Sequence, residues 1–130
     1  MPTTNLNIDY LSANTGQPEV VINEALDDID YLQSMFTKNM TSDADYTLLT
    51  TGTHPEWSYG VFKITDTSVL LTTTRSIKVP LRKKFYHVWN ATAQSLTFKP
   101  TSGTGITVAA SMKAILYCDG TNVVRFGPDV

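Results

Sequence analysis

The 130 residues carry 10 Lys+Arg against 12 Asp+Glu, a formal charge of −2: enough chain for one ordinary domain, and too little positive charge for a dedicated nucleic-acid binder. Hydrophobic residues make up 42% and charged residues 17%, which excludes a disordered chain, and no apolar run approaches the roughly 20 residues that span a bilayer. A single cysteine, Cys118, excludes an intrachain disulfide and a cysteine-built zinc site, and Met1–Asn7 lacks the basic start and apolar core of a secretion signal.

Residues 1–18 hold Pro2, Asn5, Asn7, Asn14, Gly16 and Pro18, with apolar Leu6, Ile8, Tyr10 and Leu11 between them. Their alternation predicts an extended arm with no core of its own. An amphipathic helix is predicted over 19–39. Pro18 suits its entry, Glu19 and Glu24 its positive end and Lys38 its negative end. Ile22, Ala25, Leu26, Ile29, Leu32 and Phe36 fall on one stripe, while Asn23, Asp27, Asp28, Asp30 and Gln33 lie opposite. Read as heptads, Ile22, Ile29 and Phe36 share one seam position, and Ala25 and Leu32 the other. Such a stripe meets either the chain's own β-domain or sister helices in a short parallel bundle. Seam isoleucines permit three strands, but two heptads are too short to hold together unaided.

From about residue 46 to 130, threonine, valine, isoleucine and aromatics dominate, broken by Gly, Pro, Asn and Asp. This predicts a small antiparallel β-sandwich or barrel, so the fold class is mainly β with an N-terminal arm and helix. Strands are expected near Trp57–Ile64, Ser68–Thr73, Ser76–Val79, Lys84–Asn90, Ser95–Lys99, Gly105–Val108, Lys113–Cys118 and Val123–Phe126. Phe85, His87 and Trp89 share one strand face, and Tyr86, Val88 and Asn90 the other. Asp119-Gly120 marks a tight hairpin, Ser102–Gly105 another turn, and no long internal repeat is visible. Charge divides along the chain: residues 1–70 hold ten acids and two bases, residues 71–130 two acids and eight bases. Opposed halves attract within a subunit or between subunits, or simply decorate two solvated faces.

Residues that carry chemistry are sparse. His54 and His87 lack metal-ligand spacing and read as structural. Asp27, Asp28 and Asp30 radiate in different directions from a helix. Asp43-Ala-Asp45 lacks the glycine and terminal glutamate of a calcium loop. Gly103-Thr104-Gly105 lacks the Gly-Lys-Ser/Thr of a phosphate loop, and Cys118 has no activating base nearby in sequence. The basic and aromatic residues from Arg82 to His87 fit a strand entry after Pro80 better than a nucleic-acid surface. Trp57 and Tyr59 are candidate glycan contacts, with packing beside Val61 as the competing reading. A glycan hydrolase needs two convergent carboxylates, and beyond residue 70 only Asp119 and Asp129 are available. No enzymatic activity, cofactor, metal, nucleic-acid partner or membrane insertion is therefore expected.

The run from Gly16 to Asp30, with Gly16-Gln17 followed by Asn23-Glu24-Ala25-Leu26 and Ile29-Asp30, resembles the opening of a bacteriophage and prophage virion-protein family. Leu81 to Phe126 is similar to a β-module of phage fibre and tail proteins. Its pieces here are Tyr86–Thr92, Leu96–Lys99, Gly103–Val108 and Ala114–Thr121. The resemblance implies a virion structural protein assembled in the bacterial cytoplasm, a homotrimer of tail-fibre, head-fibre, collar or capsid-decoration type. Its interface would be the stripe from Ile22 to Phe36. Leu6, Ile8, Tyr10 and Leu11 would anchor it to a capsid, neck or tail protein. Such proteins often continue into a larger receptor-binding region, so an attachment or decoration role is expected first, and binding of host surface glycan second.

Overall fold

The computed structural model describes residues 17–127, with side chains from residue 22 onward. One helix, α1 (Gln17–Tyr31), precedes nine strands: β1 (Met35–Asn39), β2 (Tyr46–Thr47), β3 (Val61–Thr65), β4 (Arg75–Val79), β5 (Lys84–Ala91), β6 (Leu96–Pro100), β7 (Ile106–Val108), β8 (Lys113–Cys118) and β9 (Val123–Arg125). The chain is mainly sheet, as its composition predicts. The strands form a five-stranded sheet in the order β1-β3-β5-β8-β9 and a four-stranded sheet in the order β2-β4-β6-β7. The expected wholly antiparallel pairing is replaced by a mixed one. β1, β3 and β5 run parallel in one sheet, and β2, β4 and β6 run parallel in the other. β7, β8 and β9 then fold back antiparallel.

The parallel part is a coil. Successive strands alternate between the sheets, so each turn of chain lays one strand on each side. In the larger sheet the register repeats every 26 residues: Met35 opposes Val61, which opposes His87. In the smaller sheet Tyr46, Ile77 and Phe98 align at steps of 31 and 21, because the second turn has the longer crossing loop. The repeat belongs to the backbone and not to the residues. Phe36, Phe62 and Val88 stack as three apolar side chains, but Thr37, Lys63 and Trp89 share nothing except register.

Between the sheets lies one core, in which Phe62, Ile64, Ile77, Val79, Leu96, Phe98 and Leu116 are fully or almost fully buried. Burying a side chain of this size stabilises by about 1.5–3 kcal/mol. The period-2 pattern of β5 places Tyr86, Val88 and Asn90 inward and Phe85 and His87 outward, as the alternation predicts.

Side chains stitch each turn to the next. Asn39 Oδ1 accepts from the Thr65 hydroxyl and from the Thr67 amide and hydroxyl. Asp43 accepts from Thr72 and pairs with Arg75 at 2.9 Å, and Asp45 accepts from the Ser76 amide. Asp43 and Asp45 are thus occupied as corner fasteners. The Arg75 guanidinium and the Thr72 hydroxyl hold the Asp43 carboxyl well below the usual carboxylate range.

Three expected elements are corrected. The helix expected over 19–39 stops at Tyr31. Three successive i+3 bonds, from the Leu32, Gln33 and Ser34 amides to the Ile29, Asp30 and Tyr31 carbonyls, tighten and end it. Ser34 then accepts from Val61, which draws the chain into the sheet, so Phe36 belongs to β1 and not to the helical stripe. The sheet region accordingly begins at Met35, ahead of the expected boundary at 46. The strand expected over Ser68–Thr73 is a turn. The Asp66 carboxylate accepts from the Leu70 and Leu71 amides, and Val69 takes a φ of 52°. Within Trp57–Ile64, Glu56–Ser58 is a 3-10 turn and the strand starts at Val61.

Candidate functional site

Among the described residues no group of three or more His, Cys, Asp or Glu is placed to hold a metal ion, and no helix is long and apolar enough to cross a membrane. The ring of His54 stacks on Tyr31 with centroids 3.8 Å apart, and its Nδ1 is buried without a hydrogen-bond partner. The imidazole of His87 projects from the outer face of the five-stranded sheet, with Nδ1 3.3 Å from the Gly60 carbonyl. Cys118 is fully buried, with Sγ 3.9 Å from the Pro80 carbonyl oxygen. The Asp119 carboxylate accepts from the Thr121 and Asn122 amides, which holds it below its ordinary range and closes the hairpin that Gly120 turns at φ 95°. Glu56 accepts from the Tyr46 hydroxyl at 2.6 Å, and burial together with that bond pushes the Tyr46 phenol up to about 12.

Lys84 is an inward-facing cation. Its ammonium donates to the carbonyls of Tyr59 and Phe85 and lies 4.3 Å from the centroid of the Tyr86 ring. Burial lowers its pKa from 10.5 to about 8. The Tyr86 hydroxyl beside it is buried without a partner.

The predicted interface stripe divides. Ile22, Ile29 and Leu32 are 45%, 50% and 48% exposed, and Ala25 is exposed between them. Leu26 is half-buried, and Phe36 points into the core from β1. The ridge therefore runs Ile22, Ala25, Ile29, Leu32 and stays exposed, with its Ile29 and Leu32 end bordering an open groove whose other wall is residues 52–58 and Lys83–Lys84. The end of α1 is tightly fastened. Tyr31 packs on His54 and edge-on against Tyr59, and the Leu32 carbonyl lies so close to Gly60 that a Cβ there would sit 1.6 Å from its oxygen. The arm residues Leu6, Ile8, Tyr10 and Leu11 fall outside the described residues.

Trp57 and Tyr59 do not form a shared stacking platform. Tyr59 is half-buried between Tyr31 and Phe36, and burial raises its phenol pKa. Trp57 packs partly against the core, with the Arg82 guanidinium 5.6 Å from its ring. It does line an open groove of about 470 Å³ between the end of α1, residues 52–58 and Lys83–Lys84.

A surface that sequence reasoning did not single out lies on the outer face of the five-stranded sheet. Val61, His87, Trp89 and Ile115 line a shallow apolar depression of about 570 Å³. Lys63 and Lys113, on the strands either side, place their ammonium groups 4.1 and 4.7 Å from the Trp89 ring. Met35 extends this face at one edge, and a cluster of Phe85, Tyr117 and Phe126 extends it at the other. The signal was present as the alternation Phe85, His87, Trp89, but which face of β5 meets the core depends on pairing with strands far away in sequence. No family model, curated protein or solved structure matches this chain.

Proposed function

We propose that this chain is a non-enzymatic structural component of a bacteriophage virion. On this reading it is a homotrimeric fibre, collar or decoration-type protein held on the particle by its N-terminal arm. The observation that carries the reading is the uncovered ridge of Ile22, Ala25, Ile29 and Leu32. A helix of this length is marginal in water unless its apolar side finds a partner. Here that side stays about half exposed over an open groove and is not sealed by the subunit's own core, which supports a subunit completed by sister copies. Two further features support it: the resemblance of Gly16–Asp30 and Leu81–Phe126 to phage virion modules, and the use of Asp43, Asp45, Asp66 and Asp119 as loop fasteners.

Light scattering of the full-length chain tests the reading. The wild type is expected at three chains and Ile29→Asp at one, with unchanged far-ultraviolet circular dichroism in the β region. Equal masses for the two proteins would overturn the assignment of the ridge as the subunit interface.

A further inference from the structure

Two apolar faces of this chain lack cover within it, and their charges are opposite. The ridge of α1 is rimmed by exposed Glu24 and Asp28, and the last turn of the helix carries no base. The outer face of the five-stranded sheet exposes Met35 and Ile115 around Trp89. Its outward strand positions carry Lys63 and Lys113 and no carboxylate.

The two faces match in size. The ridge from Ile22 to Leu32 is about 15 Å long at 1.5 Å per residue, and five strands spaced about 4.8 Å apart give a face about 19 Å wide. They do not meet within one subunit. Only residues 32–34 link α1 to β1, the stack of Tyr31 on His54 and the contact of Leu32 with Gly60 fix the helix end, and no residue of α1 lines the outer-face depression. A parallel bundle of three α1 helices, the other way to cover the ridge, would leave the lysine-bearing sheet face bare in every copy and, since α1 holds no base, would give Glu24 and Asp28 no cationic partner across the seam.

We infer that the α1 ridge of one copy docks on the outer face of the five-stranded sheet of a second copy, with Glu24 and Asp28 towards Lys63 and Lys113. This rests on the reading of the ridge as a subunit interface and specifies what covers it. The contact is head-to-tail, since each subunit offers a helix to one neighbour and a sheet to the other. Closed around a three-fold axis it makes a ring of three, with no helix or sheet face left bare.

Complementation by full-length variants tests the inference. Ile29→Asp spoils only the ridge, and Ile115→Asp spoils only the sheet face. Both residues are about half exposed, so both variants are expected to fold. Each alone should fall from the wild-type mass to one third of it. Mixed in equal amounts they should form a 1:1 pair of two chains, because one sound ridge then meets one sound sheet. If Ile115→Asp keeps the wild-type mass while Ile29→Asp dissociates, ridge meets ridge, and this inference falls while the interface reading stands. Failure of two dissociated variants to pair would also overturn it. If both variants keep the wild-type mass, or the wild type is a single chain, the interface reading falls as well. Should Ile115→Asp lose its native circular dichroism, the double variant Lys63→Glu/Lys113→Glu takes its place, with the same expected loss and the same pairing.

Discussion

Asn90 is wholly buried at the bend between β5 and β6, and every hydrogen-bonding atom of its side chain is used. Its amide nitrogen donates to the carbonyls of Gln94, Val108 and Ala109, and its oxygen accepts from the amide and hydroxyl of Thr92. One side chain thus ties the third turn of the coil to the strand that folds back. Removing it strands several buried polar groups, so Asn90→Ala should destabilise by about 2–4 kcal/mol in urea unfolding. Lys84 works the other way. Its pKa is about 8 when folded, against 10.5 ordinarily, because burial penalises the charged form. Well below pH 8 both folded and unfolded chains hold the proton and the penalty is complete. Between 8 and 10.5 the unfolded chain binds more protons than the folded one, so this group's contribution to stability rises with pH. Measured against Lys84→Met, which cannot titrate, the wild type should gain about 1.5 kcal/mol between pH 8 and 9.5. An unchanged difference would show that the ammonium is better solvated than its surroundings indicate.

At the scale of elements, Gly60 and α1 belong together. A Cβ on Gly60 would overlap the Leu32 carbonyl, so Gly60→Ala must move the helix exit. Hydrogen exchange should then report loss of protection at Leu32–Ser34, with β5 and β8 unaffected, at a cost of about 1–3 kcal/mol. Much at this scale was legible from sequence. The positions of β4 to β9 follow from alternation and turn residues, and the Asp119-Gly120 hairpin from its chemistry, because these are local matters. The helix end was not legible. Leu32 and Phe36 continue the helical spacing, and it is pairing with β3, begun by the bond from Val61 to Ser34 across 27 positions, that pulls the segment into a strand. Ser68–Thr73 failed for a similar reason, since Val, Leu and Thr favour strands but the Asp66 carboxylate captures their amides first. Of the expected helical stripe, Ile22, Ala25, Ile29 and Leu32 stay exposed on or just past α1, while Phe36 joins β1. The Lys63–Trp89–Lys113 face was missed because its residues come from three strands and share no motif.

For the whole molecule, the coil sets both the folding rate and the exposed borders. Its parallel pairs join residues 21 to 31 positions apart, and no hairpin can start them. Refolding followed by tryptophan fluorescence should therefore fall in the millisecond-to-second range and not the microsecond range of helical bundles. The sheets end in short strands, β1 and β9 on one side and β2 and β7 on the other, which limits edge-to-edge aggregation. Besides loop residues such as Leu49, Val69 and Leu81, the described residues leave two apolar faces exposed, the ridge of α1 and the outer sheet face, and the central question is whether sister copies cover them. The mass of the wild-type chain in solution, measured by light scattering over a hundredfold range of concentration, tests this most directly. Three chains are expected at the upper concentrations, with dissociation on dilution. A single chain throughout, with the ridge still in contact with water, would contradict this expectation.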